Sequence, residues 1–278
     1  MSIFRSIYYG HPPALRFAAR RLYYLPIDLY DHATGKKDPS IPPRGMIFTG
    51  SGDFKKQGEK LLEYFIEAGL QTQHKVLDIG SGIGRVALPL TTYLSKQGSY
   101  EGFDVVRMGV QWCEKNISSK YPNFNFRYVA LGNDLYKSDG GAAANFHFPY
   151  KDESFDFVIL TSVFTHMMPD EVDNYLGEIS RVLIPGGSCF ATFFLINGES
   201  EKLLSENKSF QFPFDYGHYR LMDKKVKSAN VAFKEQYLRQ RLLLDKALQI
   251  KQIHYGYWCG RNKQSCKDFQ DIVLFRKS

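Results

Sequence analysis

The sequence predicts an α/β fold built on a mostly parallel sheet. Strand-like and helix-like stretches alternate from about residue 75 onward. A buried strand, Val76-Leu77-Asp78-Ile79, runs straight into the turn Gly80-Ser81-Gly82-Ile83-Gly84-Arg85. About twenty residues on, a second strand ends in an acid, Tyr100-Glu101-Gly102-Phe103-Asp104. Two such strand tips make a nucleoside-binding crevice: the glycines let backbone approach the ligand, and the acid accepts the ribose hydroxyls.

Residues 1–53 lack strand alternation, are rich in Pro, Gly, Tyr and Arg, and break at Asp38-Pro39 and Pro42-Pro43. They read as an N-terminal extension or lid ahead of a main domain at 54–278. Within them, Pro12-Pro13 introduces a short basic helix from Ala14 to Leu25, with Arg16, Arg20 and Arg21 and no acid before Asp28. That helix packs on the domain, covers the crevice, makes a peripheral membrane contact, or belongs to a transit peptide; packing is preferred. From Lys55 to Ala68 the apolar residues Leu61, Leu62, Phe65 and Ile66 predict a helix stopped by Gly69. Strands are expected at 75–79, 99–103, 124–129, 155–161 and 188–195. The helix after Pro169 has Asp170, Glu171 and Asp173 in its first turn, where they complement the helix dipole. Its residues Val172, Tyr175, Leu176, Ile179 and Leu183 share one face. An insertion occupies 197–230, a last helix roughly 232–248, and two final strands start at Ile250 and Asp271.

The 278 residues suit one large α/β domain with additions, and 44% hydrophobic content is ordinary for a globular core. The net charge of +7 is spread along the chain and gives a weak prior for an acidic partner such as nucleic acid or an anionic membrane; nucleic acid is disfavoured because no appended nucleic-acid module is visible. Cys113, Cys189, Cys259 and Cys266 have no metal spacing and suit a reducing, cytoplasmic setting; no metal is expected. No apolar run is long enough to span a bilayer.

The glycine turn selects among nucleoside ligands. Dinucleotide sites use G-x-G-x-x-G, whose helix N-terminus meets a pyrophosphate. Here the spacing is G-x-G-x-G, position 85 is Arg, and Asp78 stands two residues before the first glycine. A carboxylate there opposes a pyrophosphate and suits a ligand with an ammonium group, such as S-adenosylmethionine. No G-x-x-x-x-G-K-[ST] occurs.

On these residues the chain, over roughly 70–277, resembles the class I S-adenosylmethionine-dependent methyltransferases. Phe148-Pro149-Tyr150-Lys151-Asp152-Glu153-Ser154-Phe155-Asp156-Phe157-Val158 is similar to that family's approach to its fourth strand, and Arg181-Val182-Leu183-Ile184-Pro185-Gly186-Gly187 to the turn before its fifth. Tyr255-Gly256-Tyr257-Trp258-Cys259-Gly260-Arg261 resembles a C-terminal segment of bacterial small-molecule and sugar-pathway members. The resemblance implies a Rossmann-like seven-stranded sheet with a C-terminal antiparallel hairpin, and S-adenosylmethionine as cofactor. Gly80, Ser81, Gly82 and Gly84 then lie under the methionine part and ribose, Asp104 and Val105 at the sugar, and Asp78 orients the loop or the ammonium. Leu131 and Asn133 hold adenine, in a stretch that departs from the family pattern by having Ala130 where an acid is expected. Thr161 and Ser162 line the opposite side of the cofactor.

Methyl transfer is an in-line displacement that demands alignment and exclusion of water, and a base when the nucleophile is a hydroxyl. His166 is the candidate base, with His218 and His254 as rivals; the alternative is that it only packs its loop. In the insertion, His218 and Tyr219 either meet substrate or pack, as do Phe210, Phe212, Phe214, Tyr216 and Arg220; Arg261 is a candidate for an anionic substrate group. Thr161-Ser162-Val163-Phe164 stands where amine methyltransferases of bases carry N-P-P-[YF] or D-P-P-Y, so a hydroxyl of a sugar, glycan-linked or secondary metabolite is the expected acceptor. The alternatives are an RNA or protein methyltransferase, a non-catalytic binding partner of the same fold, and an NAD enzyme. Oligomeric state is open.

Overall fold

The computed structural model describes residues 12–36, 38–48, 50, 52–132, 140–206 and 210–278. The chain forms two compact units, 1–140 and 141–278. The main sheet has seven strands in the order β10-β11-β5-β4-β1-β2-β3, which is the sheet the sequence predicts.

In the first unit, helix α1 (Pro13–Ala33) is longer than the segment expected from Ala14 to Leu25 and carries Pro26 inside it. Helix α2 (Phe54–Glu67) starts where Asp53 accepts the Lys56 N–H at 3.0 Å, satisfying one orphan donor of the first turn. It ends at Gly69 (φ 98°), with Leu70 N–H returning to the Phe65 carbonyl. Strand β1 (Lys75–Ile79) is buried from Val76 on and pairs in parallel with β2 (Ser99–Asp104), which pairs in parallel with β3 (Phe124–Tyr128). Between them lie α3 (Ala87–Tyr93) and α4 (Arg107–Cys113). Tyr100 stacks on Phe124 with ring centroids 5.1 Å apart, so β2 and β3 share a dry core.

In the second unit, β4 (Phe155–Leu160) pairs in parallel with β5 (Leu183–Phe193). Helix α5 (Pro169–Val182) links them and buries Val172, Tyr175, Leu176 and Ile179, the face expected from their spacing. Glu171 accepts the Met168 N–H at 2.7 Å, closing its first turn. The antiparallel pair β10 (Leu248–His254) and β11 (Asp271–Lys277) completes this half of the sheet, with β11 against β5.

A second, four-stranded sheet corrects the sequence reading. Its order is β6-β9-β8-β7, from β6 (Leu195–Ile196), β7 (Phe214–Asp215), β8 (Tyr219–Leu221) and β9 (Val231–Lys234). A helix was expected from about 232; instead Val231, Ala232 and Phe233 are a fully buried strand, and only single helical turns follow at 235–242. A short apolar run bounded by polar residues, here Asn230 and Lys234, looks the same in a buried strand and in a helix. Helix α6 (Gly198–Glu206) precedes this sheet in the insertion.

One carboxylate organises the C-terminal segment. Asp271 is fully buried and accepts N–H groups from Leu195 (2.6 Å), Gly256 (2.7 Å) and the Trp258 indole (2.8 Å). Around it pack Phe194, Ile196, Phe212 and Trp258, with Phe210 beside them. Asp271→Ala leaves three buried donors without an acceptor and is expected to destabilise the chain by about 3 kcal/mol, with Asp271→Asn intermediate because it keeps one acceptor oxygen. Equilibrium urea unfolding of the three proteins checks both the size and the order.

Candidate functional site

After Ile79 the chain turns through Gly80 (φ 77°), Gly82 (φ 59°) and Gly84 (φ 81°), all in the left-handed region. The turn is folded onto the tip of β2. The N–H groups of Gly80 and Ser81 both donate to the Phe103 carbonyl, at 2.9 and 3.1 Å. Asp104 then closes the arrangement: one oxygen accepts the Gly82 N–H and the other the Val106 N–H, each at 2.7 Å. A carboxylate offers roughly four acceptor positions, so these two bonds fix the group and still leave capacity for a sugar diol. Burial pushes the Asp104 carboxyl up to about 6, against the pull of the Val106, Gly82 and Val105 N–H groups.

Asp78 lies one strand away. One of its oxygens accepts the Tyr100 hydroxyl; the other, like the Ser81 hydroxyl, is buried without a hydrogen-bond partner among the described residues. Burial pushes its carboxyl up to about 7; the Tyr100 hydroxyl opposes this, the Asp104 charge adds to it, and Arg85 opposes it. Arg85 donates to Gln57 at 3.0 Å, so its guanidinium is anchored on α2. Two neighbouring buried carboxylates oppose a phosphate and favour a ligand with positive charge and hydroxyls. The orphaned Asp78 oxygen, the Ser81 hydroxyl and the glycine cradle therefore fit S-adenosylmethionine.

Two further glycines make the cradle. A Cβ on Gly109 would stand 2.4 Å from the Gly82 carbonyl oxygen, and one on Gly102 would stand 2.9 Å from Ser81 Cβ. Gly109 lets the first turn of α4 press on the loop, and Gly102 lets Ser81 lie on β2. The motif reading missed both, and it missed Tyr100 as the partner of Asp78. The one signal was a glycine inside a strand and another at the start of the helix after the acid. Val105 is half-buried and Leu131 is buried; Asn133 lies outside the described residues.

In the second unit, Thr161 and Ser162 follow β4 directly. Ser162 has φ 59°, a conformation costing a side-chain-bearing residue of order 1–3 kcal/mol. Its N–H donates to the Thr192 hydroxyl at 2.7 Å and its hydroxyl to Gln270 at 3.0 Å. Those two holders come from β5 and the approach to β11, so no local pattern could have exposed them. His166 Nδ1 lies 2.8 Å from the Ser228 carbonyl. Since a carbonyl only accepts, Nδ1 carries the hydrogen and Nε2 the basic lone pair. Burial lowers the His166 pKa, opposed by the Ser228 and Ala229 backbone, so the ring is neutral at pH 7.

The expected substrate contacts separate. His218 is exposed and stacks on Tyr237 (centroids 4.6 Å), and Tyr219 stacks on Tyr216 (5.1 Å), two aromatic pairs outside the core. Phe210 and Phe212 instead join the Phe194 and Trp258 core. Arg261 is turned inward: its guanidinium meets Glu199 at 2.9 Å and lies 3.8 Å from Asp271, and it also donates to the Gly256 carbonyl. In this arrangement it ties the C-terminal segment to α6.

Residues 77–191 match the model of a family described as a methyltransferase domain. The chain is 28% identical over 149 residues to the methyltransferase GfsG of Streptomyces halstedii, a match taking in 51% of this chain and 45% of that protein. It is 26% identical over 120 residues to the tRNA N(3)-cytidine methyltransferase METTL2 of Gallus gallus, covering 43% of this chain and 30% of the relative. The aligned stretch is thus less than half the length of these curated relatives. A crystal structure from Pyrococcus horikoshii superposes with TM-score 0.57 at 16% identity, covering 88% of this chain and 99% of that one, a likeness of fold.

Gly109→Ala is expected to weaken binding of S-adenosylhomocysteine on the order of tenfold, because a new Cβ displaces the Gly82 carbonyl. Isothermal calorimetry reads this directly. The site should also respond to pH. The Asp104 carboxyl is raised from 3.8 to about 6, so its contribution to stability is full below 3.8 and lost as pH rises through about 6. Ligand hydroxyls need the ionised form, so affinity runs the other way and falls as pH drops through about 6. Calorimetry across that range should show the fall, and Asp104→Asn should flatten it.

Proposed function

We propose that this chain, whose residues 77–191 match a methyltransferase-domain model, is a class I S-adenosylmethionine-dependent methyltransferase that transfers a methyl group to a hydroxyl of a small-molecule acceptor. The observation that carries the cofactor half is the Asp104 clamp beside the buried Asp78 carboxylate, built around three left-handed glycines. S-adenosylmethionine supplies an electrophilic methyl on a sulfonium. Asp104 orients the ribose, the backbone of Gly80 to Gly84 supports the methionine part, and Asp78 with the Ser81 hydroxyl faces its ammonium. Thr161 and Ser162, with Leu131, Asn133 and Val105, are assigned to the remaining cofactor contacts.

The acceptor half rests on His166. A neutral ring with its hydrogen held at Nδ1 by the Ser228 carbonyl presents Nε2 as a proton acceptor, which a hydroxyl nucleophile needs and a free amine does not. The aromatic pairs at Tyr216, His218 and Tyr219 suit a flat or sugar-like acceptor. A nucleic-acid acceptor is the second reading, favoured by the relative named for tRNA and by the net charge of +7.

Asp104→Ala is expected to weaken S-adenosylhomocysteine binding on the order of tenfold or more, and NAD should not bind either protein. Unchanged affinity removes the ribose role. His166→Ala should lower turnover roughly a hundredfold while leaving cofactor affinity near that of the native protein. Turnover is followed with labelled S-adenosylmethionine against hydroxylated metabolites and, separately, transfer RNA. Label on RNA alone overturns the small-molecule reading.

A further inference from the structure

Helix α1 is built inside out. Its buried side chains are charged: Arg16 and Asp31 are 6% and 8% exposed. Asp28 accepts the N–H groups of Arg44 (2.7 Å) and Gly45 (3.0 Å), and Asp31 pairs with the Arg44 guanidinium at 3.1 Å. A Cβ on Gly45 would stand 3.0 Å from Arg21 Cα, so the helix backbone sits close against the 44–46 turn. The side that docks on its own unit thus carries both acids of the helix and Arg16, with Phe17 against Phe48 (ring centroids 5.5 Å apart) as its aromatic contact.

The apolar side faces solvent. Leu15, Leu22, Leu25, Leu29, Tyr23 and Tyr30 are between 48% and 74% exposed. At about 100° per residue, Leu15, Leu22, Leu25 and Leu29 form one stripe roughly 20 Å long, with Ala18 within it and the two tyrosines along one edge. The uncharged arc spans roughly half the helix circumference. Both acids of α1, Asp28 and Asp31, are spent on the inward side. The charges bordering the apolar arc are basic: exposed Arg21 beside it, and Lys36 just past the helix, 3.0 Å from the Tyr30 hydroxyl. The whole chain before Asp28 contains no acid.

We propose that this face of α1 docks on an anionic lipid bilayer, lying in the interface with the leucines in the acyl boundary and the tyrosines at headgroup level. Charge complementarity selects that occupant. An acid-free apolar arc flanked by Arg21 and Lys36 matches a negatively charged surface. A second copy of the helix fits poorly: both acids of the helix are bonded on its inward side, so the exposed flanks offer no carboxylate to pair with Arg21 of a copy, and Pro26 interrupts a regular seam. No described helix is long and apolar enough to cross a membrane, so the geometry is lying on the surface.

The test is flotation of the full chain with vesicles of phosphatidylcholine alone and of phosphatidylcholine mixed with phosphatidylglycerol. The native protein should float with the mixed vesicles, and less with phosphatidylcholine alone or at high salt. The double variant Leu22→Glu, Leu29→Glu should lower partitioning on the order of tenfold or more. Its affinity for S-adenosylhomocysteine, equal to that of the native protein, reports that it has folded; Leu22→Ser, Leu29→Ser replaces it if it has not. Three outcomes overturn the proposal: a native protein that stays in the buffer layer, a folded variant that floats like the native protein, or a dimer in sedimentation equilibrium that the substitutions dissociate.

Discussion

The carboxylate of Asp104 is the constraint on which the cofactor half of this protein depends. It accepts one N–H from the glycine turn and one from its own strand's exit, both at 2.7 Å, and so ties the ends of β1 and β2 into one rigid surface. Without it, a turn containing three left-handed glycines would be held to β2 only through the Gly80 and Ser81 N–H bonds to the Phe103 carbonyl. The backbone donors also explain how the carboxyl sits among buried groups at all: each N–H offsets part of the cost of removing a charge from water. The two backbone bonds use one acceptor position on each oxygen, so the group that shapes the turn keeps acceptor capacity for the ribose role proposed for it.

Asp78 adds an electrostatic argument that the glycines alone cannot supply. A glycine turn after a strand is compatible with many nucleotides. Two buried carboxylates beside it are not, because any phosphate would meet like charge at low dielectric. A sulfonium with an ammonium group relieves that repulsion. Burial is the main reason that the Asp78 carboxyl is pushed up to about 7, and the neighbouring Asp104 charge adds to it.

Legibility in the sequence followed the range of the interactions. The strand at 75–79, the glycine turn, the acid at 104 and the helix after Pro169 were all readable because short-range patterns encode them: apolar runs, left-handed glycines and a helix start rich in acids. The second sheet was not, since Val231-Ala232-Phe233 is a strand only because β6 and β8 pair with it. The holding of Ser162 by Thr192 and Gln270, and the collection of three donors by Asp271, likewise join residues far apart in the chain. Arg261 shows the converse. Its position in a C-terminal motif suggests a cation for an anionic substrate group, but Glu199, distant in sequence, and Asp271 draw it inward.

The insertion divides its aromatic residues by packing, and the division bears on where acceptor specificity resides. Phe210 and Phe212 are fixed against Phe194 and Trp258, so changing them alters the core before it alters any binding. Tyr216, Tyr219 and His218 stack in pairs at the surface, where a change in ring or hydroxyl leaves the core untouched. Methyl transfer asks little of side chains beyond alignment and one proton acceptor. Within the insertion, the surface pairs are the positions where substitution costs least in packing, whereas Phe210 and Phe212 are held by the core they complete.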